Sequence, residues 1–107
     1  MAQELTNDSV PKRVELVYFD GCPHWPTALE RIKAALDLIG RNDPVHLRMV
    51  ANEREALTHH MAGSPTILID GRDAFPGGES IWGCRLYLGE AGPQGAPSIE
   101  SLVEILS

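Results

Sequence analysis

Apolar positions along this chain change their spacing several times, and each change marks an element. Over residues 13–19 they come almost without interruption, as Val14, Leu16, Val17, Tyr18 and Phe19. A run that short and continuous predicts a central strand buried on both faces. Asp20-Gly21 stops it. From about 26 to 39 the spacing becomes helical, with Ala28, Leu29, Ile32, Ala35, Leu36 and Ile39 on one face. Gly40 then stands where a left-handed residue ends many helices. Residues 45–50 alternate, Val45, Leu47 and Met49 against His46 and Arg48, which predicts a half-buried strand. Asn52 can cap a short helix carrying Ala56, Leu57 and Met61, with Glu55 completing a capping box.

Gly63-Ser64-Pro65 leads into a second apolar run, Thr66-Ile67-Leu68-Ile69, which ends at Asp70-Gly71. Both turn residues tolerate positive φ, so a tight hairpin is expected there. A long loop over 72–83 then precedes a short strand, Cys84-Arg85-Leu86-Tyr87, predicted to be the antiparallel partner of 66–69. After a Gly/Pro-rich connection, Ser98 can cap a last helix with Ile99, Leu102, Val103 and Leu106 inward. The expected order is β-α-β-α-β-β-α. The first two strands and their helix make a right-handed parallel unit. The whole is an α/β fold, a mixed four-stranded sheet with helices on both faces. Residues 1–11 lack periodicity and are expected to be a flexible N-terminal arm ahead of one domain at 12–107.

Composition narrows the function classes. With 107 residues there is room for one core, and 43% apolar content predicts a packed globule. No apolar run approaches the ~18 residues of a membrane span. The polar, acidic start lacks the features of a secretory signal, so a cytoplasmic address is expected. A net charge of −6 without any Lys/Arg cluster argues against nucleic acid as a partner. Two cysteines, Cys22 and Cys84, are too few for a disulfide scaffold and are read individually.

Two motifs bracket the candidate chemistry. Cys22-Pro23-His24-Trp25 follows the first strand, and Gly63-Ser64-Pro65-Thr66 precedes the third. In this element order, they make residues 13–106 resemble the thioredoxin fold. The resemblance implies that Cys22 matches the first cysteine of that family's Cys-x-x-Cys and that Pro65 is cis. It also implies a substrate groove shaped by Trp25, Ser64, Pro65 and Thr66. Trp25 stands where the family has its resolving cysteine, so the local disulfide route is closed. What remains is monothiol chemistry, in which a thiolate attacks a disulfide and forms a mixed disulfide. The strings Tyr18-Phe19-Asp20-Gly21-Cys22-Pro23, Gly63-Ser64-Pro65-Thr66-Ile67-Leu68-Ile69-Asp70-Gly71-Arg72-Asp73 and Cys84-Arg85-Leu86-Tyr87 also resemble the DF family of small bacterial (seleno)proteins. Similar sequences are sometimes labelled alkylmercury lyase-related. Selenocysteine in such relatives implies redox or soft-metal chemistry without fixing the reaction.

The residues themselves leave alternatives. At a helix start, unpaired amides and the macrodipole favour a thiolate at Cys22, the catalytic reading; an inert cysteine in a binding-only fold is the other. Cys84 is either a resolving thiol or a buried structural cysteine. A simple hairpin sets it far from the proline, so the structural role is expected unless the 72–83 loop folds back. His24 either steadies the thiolate and passes a proton or is an exposed loop side chain. Asp20 either accepts a proton or merely ends the strand. His59 and His60, adjacent on a short helix, point apart and are expected in solvent. Cys22, His24 and Cys84 are ligand types suited to zinc or a softer metal, but their spacing matches no zinc module, so no metal or cofactor is expected. Gly77-Gly78 reads as a flexible loop, not a phosphate loop. Three functions follow as expectations. The first is a monothiol oxidoreductase with a thiol/disulfide substrate or reductant as partner. The second is a non-catalytic thioredoxin-fold module binding a protein. The third is a soft-metal or mercury binder using both thiols. Oligomeric state stays open.

Overall fold

The structure, a computed structural model, describes residues 12–76, 82–89 and 92–107. The continuous apolar run becomes β1 (Val14–Phe19), an interior strand of a four-stranded mixed sheet. On one side β2 (Val45–Val50) pairs with it in parallel, Val14 opposite Val45. On the other side β3 (Thr66–Ile69) pairs antiparallel, Val17 opposite Thr66. The sheet order is β2-β1-β3-β4, where β4 is only Arg72–Asp73. Among the described residues three helices accompany it, α1 (Trp25–Leu38), α2 (Glu53–Thr58) and α3 (Ile99–Leu106). A separate hairpin joins β5 (Tyr87–Gly89) to β6 (Gly92–Gln94).

Successive residues of a strand point to opposite faces, and β1 accordingly feeds two cores. Val14 and Leu16 pack with Ile67 against Ala28, Ile32, Ala35 and Leu36 of α1 and Leu102 and Leu106 of α3. Val17 packs with Val50, Leu68, Met61 and Ala56 of α2 on the opposite face. Helices therefore cover both faces, and each buried Leu or Ile contributes about 1.5–3 kcal/mol of transfer free energy.

Local signals act as expected. Asn52 Oδ1 accepts the Glu55 N–H at 2.9 Å, and the Glu55 carboxylate accepts the Ala51 N–H at 2.8 Å. Ser98 Oγ caps α3 by accepting from Ser101 N at 3.1 Å. Asp70 and Gly71, at φ 54° and 84°, make the turn that pairs Arg72 with Ile69.

Three expectations change. The antiparallel partner of β3 is β4, not Cys84-Arg85-Leu86-Tyr87, because the tight turn returns the chain at once. Tyr87 instead starts the β5–β6 hairpin, pairing with Gln94. Leu47 and Met49, predicted inward, are 47% and 55% exposed. β2 is a sheet edge, and the core on that face takes in Val45 but neither of those two. The opposite row uses Arg48, whose guanidinium meets Glu15 at 2.8 Å. Ile99, also predicted inward, is exposed, as is Leu57 on α2. The predicted arm at 1–11 and Gly77-Gly78 lie outside the described residues. Among the described residues no helix is long and apolar enough to cross a membrane.

One ion pair has a clear pH signature. Arg41 Nε donates to Asp43 Oδ1 at 2.7 Å, and Asp43 Oδ2 accepts the Lys12 N–H at 2.8 Å. The Arg41 hydrogen bond is the main reason the Asp43 carboxyl is lowered from 3.8 to about 2. A depressed carboxyl contributes stability that is complete above its unfolded pKa and lost as pH falls through the folded one. Asp43→Asn is thus less stable than wild type at neutral pH. Urea midpoints for the two proteins converge as the pH drops from about 4 to about 2.

Candidate functional site

The site is built where β1 ends. Phe19 O accepts the Cys22 N–H at 3.2 Å across a turn in which Gly21 has φ 87°. A side chain at that φ is strained, so the turn demands glycine. Cys22 is thereby held between the strand end and α1, and the residue is only 4% exposed. His24 is the N-cap of α1, its carbonyl accepting the Ala28 N–H at 3.0 Å. Its side chain makes no capping bond, and no acidic residue stands in the first turn. The positive end of α1 is left without a carboxylate of its own first turn. Trp25 is half-buried and stacks on Tyr18, centroids 4.4 Å apart and planes at 15°.

Across the sheet, Phe19 N donates to Ser64 Oγ at 3.3 Å, tying the end of β1 to the second motif. The Ser64-Pro65 bond is cis, as expected. Thr66 Oγ1 accepts the Ala62 N–H at 2.9 Å and donates to Gly63 O. Ser64, Pro65 and Thr66, predicted to line an open groove, are fully buried.

The chain's own 83–87 segment is bonded to all three of these residues. Ser64 N donates to Gly83 O at 2.7 Å and Ser64 O accepts from Arg85 N at 3.0 Å, a parallel bridge between Ser64 and Cys84. Tyr87 Oη donates to Pro65 O. The Arg85 guanidinium donates to Asp73 Oδ2 at 2.8 Å, to Thr66 Oγ1 at 3.4 Å and to Phe75 O. It also lies 4.8 Å from the centroid of the Tyr87 ring. Cys84, expected to be buried and remote from the proline, is exposed and bridged to the residue before it. The physical reason is direction. The segment runs parallel beside Ser64 and does not descend the edge of β3 as a hairpin strand would.

Arg85 and Asp73 had no signal in the sequence as neighbours of the proline motif, since isolated charged residues are exposed by default. Burial pushes the Tyr87 hydroxyl well above its ordinary value. Arg85 opposes that rise, while the charge of Asp73 adds to it.

His24 turns toward the connection before α3. Arg31 fixes that connection by donating to Gln94 Oε1 at 3.0 Å, Pro97 O at 3.2 Å and Ala96 O at 3.3 Å. Gly95 lies so close that a Cβ there would sit 2.2 Å from His24 Cγ. Gly95→Ala must therefore displace the imidazole, at a cost of about 1–3 kcal/mol. A lowered Tm together with a shifted His24 ring resonance is the expected result; an unmoved ring would contradict this packing.

His59 is the C-cap of α2 and His60 is an exposed residue at φ 62°, both belonging to the α2 end. Asp20 is exposed at the β1 turn. Among the described residues, no group of three or more His, Cys, Asp or Glu side chains could hold a metal ion. Cys22, His24 and Cys84 are therefore not such a group. No protein-family model, curated protein or solved structure matches the chain. The chemistry of the site itself carries the functional reading.

Proposed function

We propose that this chain is a thiol-dependent oxidoreductase of thioredoxin-like build, with Cys22 as nucleophile toward a disulfide or another soft electrophile. The setting of Cys22 carries the reading. It lies between the end of β1 and an α1 start that has no acidic first turn, tied through Phe19 to Ser64. The sheet order β2-β1-β3-β4, with α1 following β1, agrees with that build. The β5–β6 hairpin and the covering 83–87 segment are additions to it. The likeness of three sequence strings to the DF family of (seleno)proteins points to the same soft-nucleophile chemistry.

The chemical step is thiol–disulfide exchange. The Cys22 thiolate attacks one sulfur of the substrate, forms a mixed disulfide and expels the other sulfur, which takes a proton. Trp25 walls the site, and His24, two positions on, is the imidazole nearest in sequence to take up that proton. The small exposure of Cys22 favours slender thiol substrates over bulky ones. A purely binding module is the weaker reading, because both backbone hydrogen-bonding groups of Ser64 are already taken by residues 83–85. Capture of a soft metal by the two thiols is the remaining rival. Glutathione-driven reduction of a small disulfide tests the proposal. Wild-type protein accelerates it and Cys22→Ser does not; equal rates would overturn it.

A further inference from the structure

We infer that Cys84 is the resolving thiol, closing a disulfide with Cys22 between the β1–α1 turn and the 83–85 segment. The inference rests on the reading of Cys22 as the reacting thiol and gives that chemistry its second half. Two chains of contacts link the backbone around Cys22 to the backbone around Cys84. The Cys22 N–H is bonded to Phe19 O, Phe19 N to Ser64 Oγ, and Ser64 is the bridge partner of Cys84. Beside this, Trp82 packs its ring 5.0 Å from that of Phe19, so the stretch leading into Cys84 lies against the end of β1.

Cys84 is also held in the manner a resolving thiol needs. The carbonyl of Gly83 and the N–H of Arg85 are both bonded to Ser64, which fixes the backbone on either side of the cysteine. Arg85 and Tyr87 are buried and anchored on Asp73, Phe75 O and Pro65 O, while Cys84 is exposed. Anchored neighbours around an exposed thiol do not describe a packing cysteine, whose contribution comes from burial. Access and a fixed backbone are what attack on a mixed disulfide requires.

The electron balance is closed. Cys22 and a substrate disulfide give a Cys22 mixed disulfide and one released thiol. The Cys84 thiolate then attacks Cys22 Sγ, breaks the bond to the substrate sulfur and releases it as the second thiol. The substrate gains two electrons and two protons, and the protein is left with a Cys22–Cys84 disulfide. An external dithiol reductant returns it to the reduced form. This spacing replaces the local pair that Trp25 rules out.

The test treats wild type, Cys84→Ser and Cys22→Ser with glutathione disulfide and maps the products without reduction. The expected result is a monomeric wild-type protein lighter by two hydrogens, with the Cys22 and Cys84 peptides joined and glutathione lost. Cys84→Ser keeps one glutathione on Cys22. A wild-type Cys22 adduct as lasting as that of Cys84→Ser, with no joined peptides, overturns the role of Cys84 and leaves Cys22 as nucleophile. Joined peptides found only in a dimer overturn it as well. Failure of Cys84→Ser to take glutathione on Cys22 overturns the reading of Cys22, and this inference with it.

Discussion

Arg85→Met lowers the stability of the protein by about 3 kcal/mol, the low end of the range for breaking a buried ion pair. The Arg85 side chain is 5% exposed and that of its partner Asp73 is 20% exposed. Removing the guanidinium strands the Asp73 carboxylate beside Phe75 and leaves the Phe75 carbonyl without its charged donor. Partial exposure of Asp73 keeps the loss from being larger, since water can reach part of the carboxylate. Against the ~5–15 kcal/mol that typically separates folded from unfolded domains, this is a large fraction. Arg85→Met/Asp73→Leu recovers part of the loss, because no unpaired charge is left behind. Urea unfolding reads both, as a lower midpoint with an unchanged slope. A midpoint equal to that of wild type would mean that this ion pair contributes nothing. The effect reaches the site as well, for the same side chain anchors the segment that carries Cys84.

Cys22→Ser abolishes exchange with disulfides while leaving the fold in place. Serine keeps the shape of the side chain, and its hydroxyl is not a nucleophile toward sulfur at neutral pH. Placing a hydroxyl at a position 4% exposed costs about 1–3 kcal/mol if it finds no partner. The variant thus remains folded by circular dichroism, with a somewhat lower Tm. Loss of exchange in a folded variant separates chemistry from stability. Retained exchange would assign the reaction to Cys84 alone.

The parts of this molecule that obey local rules were legible in the sequence. The continuous run of β1, the helical spacing of α1, the Asn52 and Ser98 caps and the Asp70-Gly71 turn each follow from neighbours along the chain. Partner choice did not follow from them. β4 has two residues, too few to carry an alternating pattern, so the longer apolar stretch at 84–87 looked like the better strand. Leu47 and Met49 have the right alternation, but whether a strand is central or at an edge depends on the order of the whole sheet. Near the candidate site, the place of Cys22 between β1 and α1 and the cis Ser64-Pro65 bond were legible, because motif and element coincide. The exposure of Cys84 and the burial of Arg85 were not. Both depend on where the chain after β4 lands, and Arg85 meets its carboxylate across 12 positions of sequence.

The central claim is that Cys22 reacts with disulfides, and it is tested most directly in Cys84→Ser, where no second cysteine can answer for it. The protein is incubated with glutathione disulfide at neutral pH and its intact mass and peptide map are followed with time. The account predicts one glutathione per chain, located on Cys22 and removed by a dithiol. A Cys22 that stays a free thiol in folded protein, yet reacts once the chain is unfolded, would contradict it.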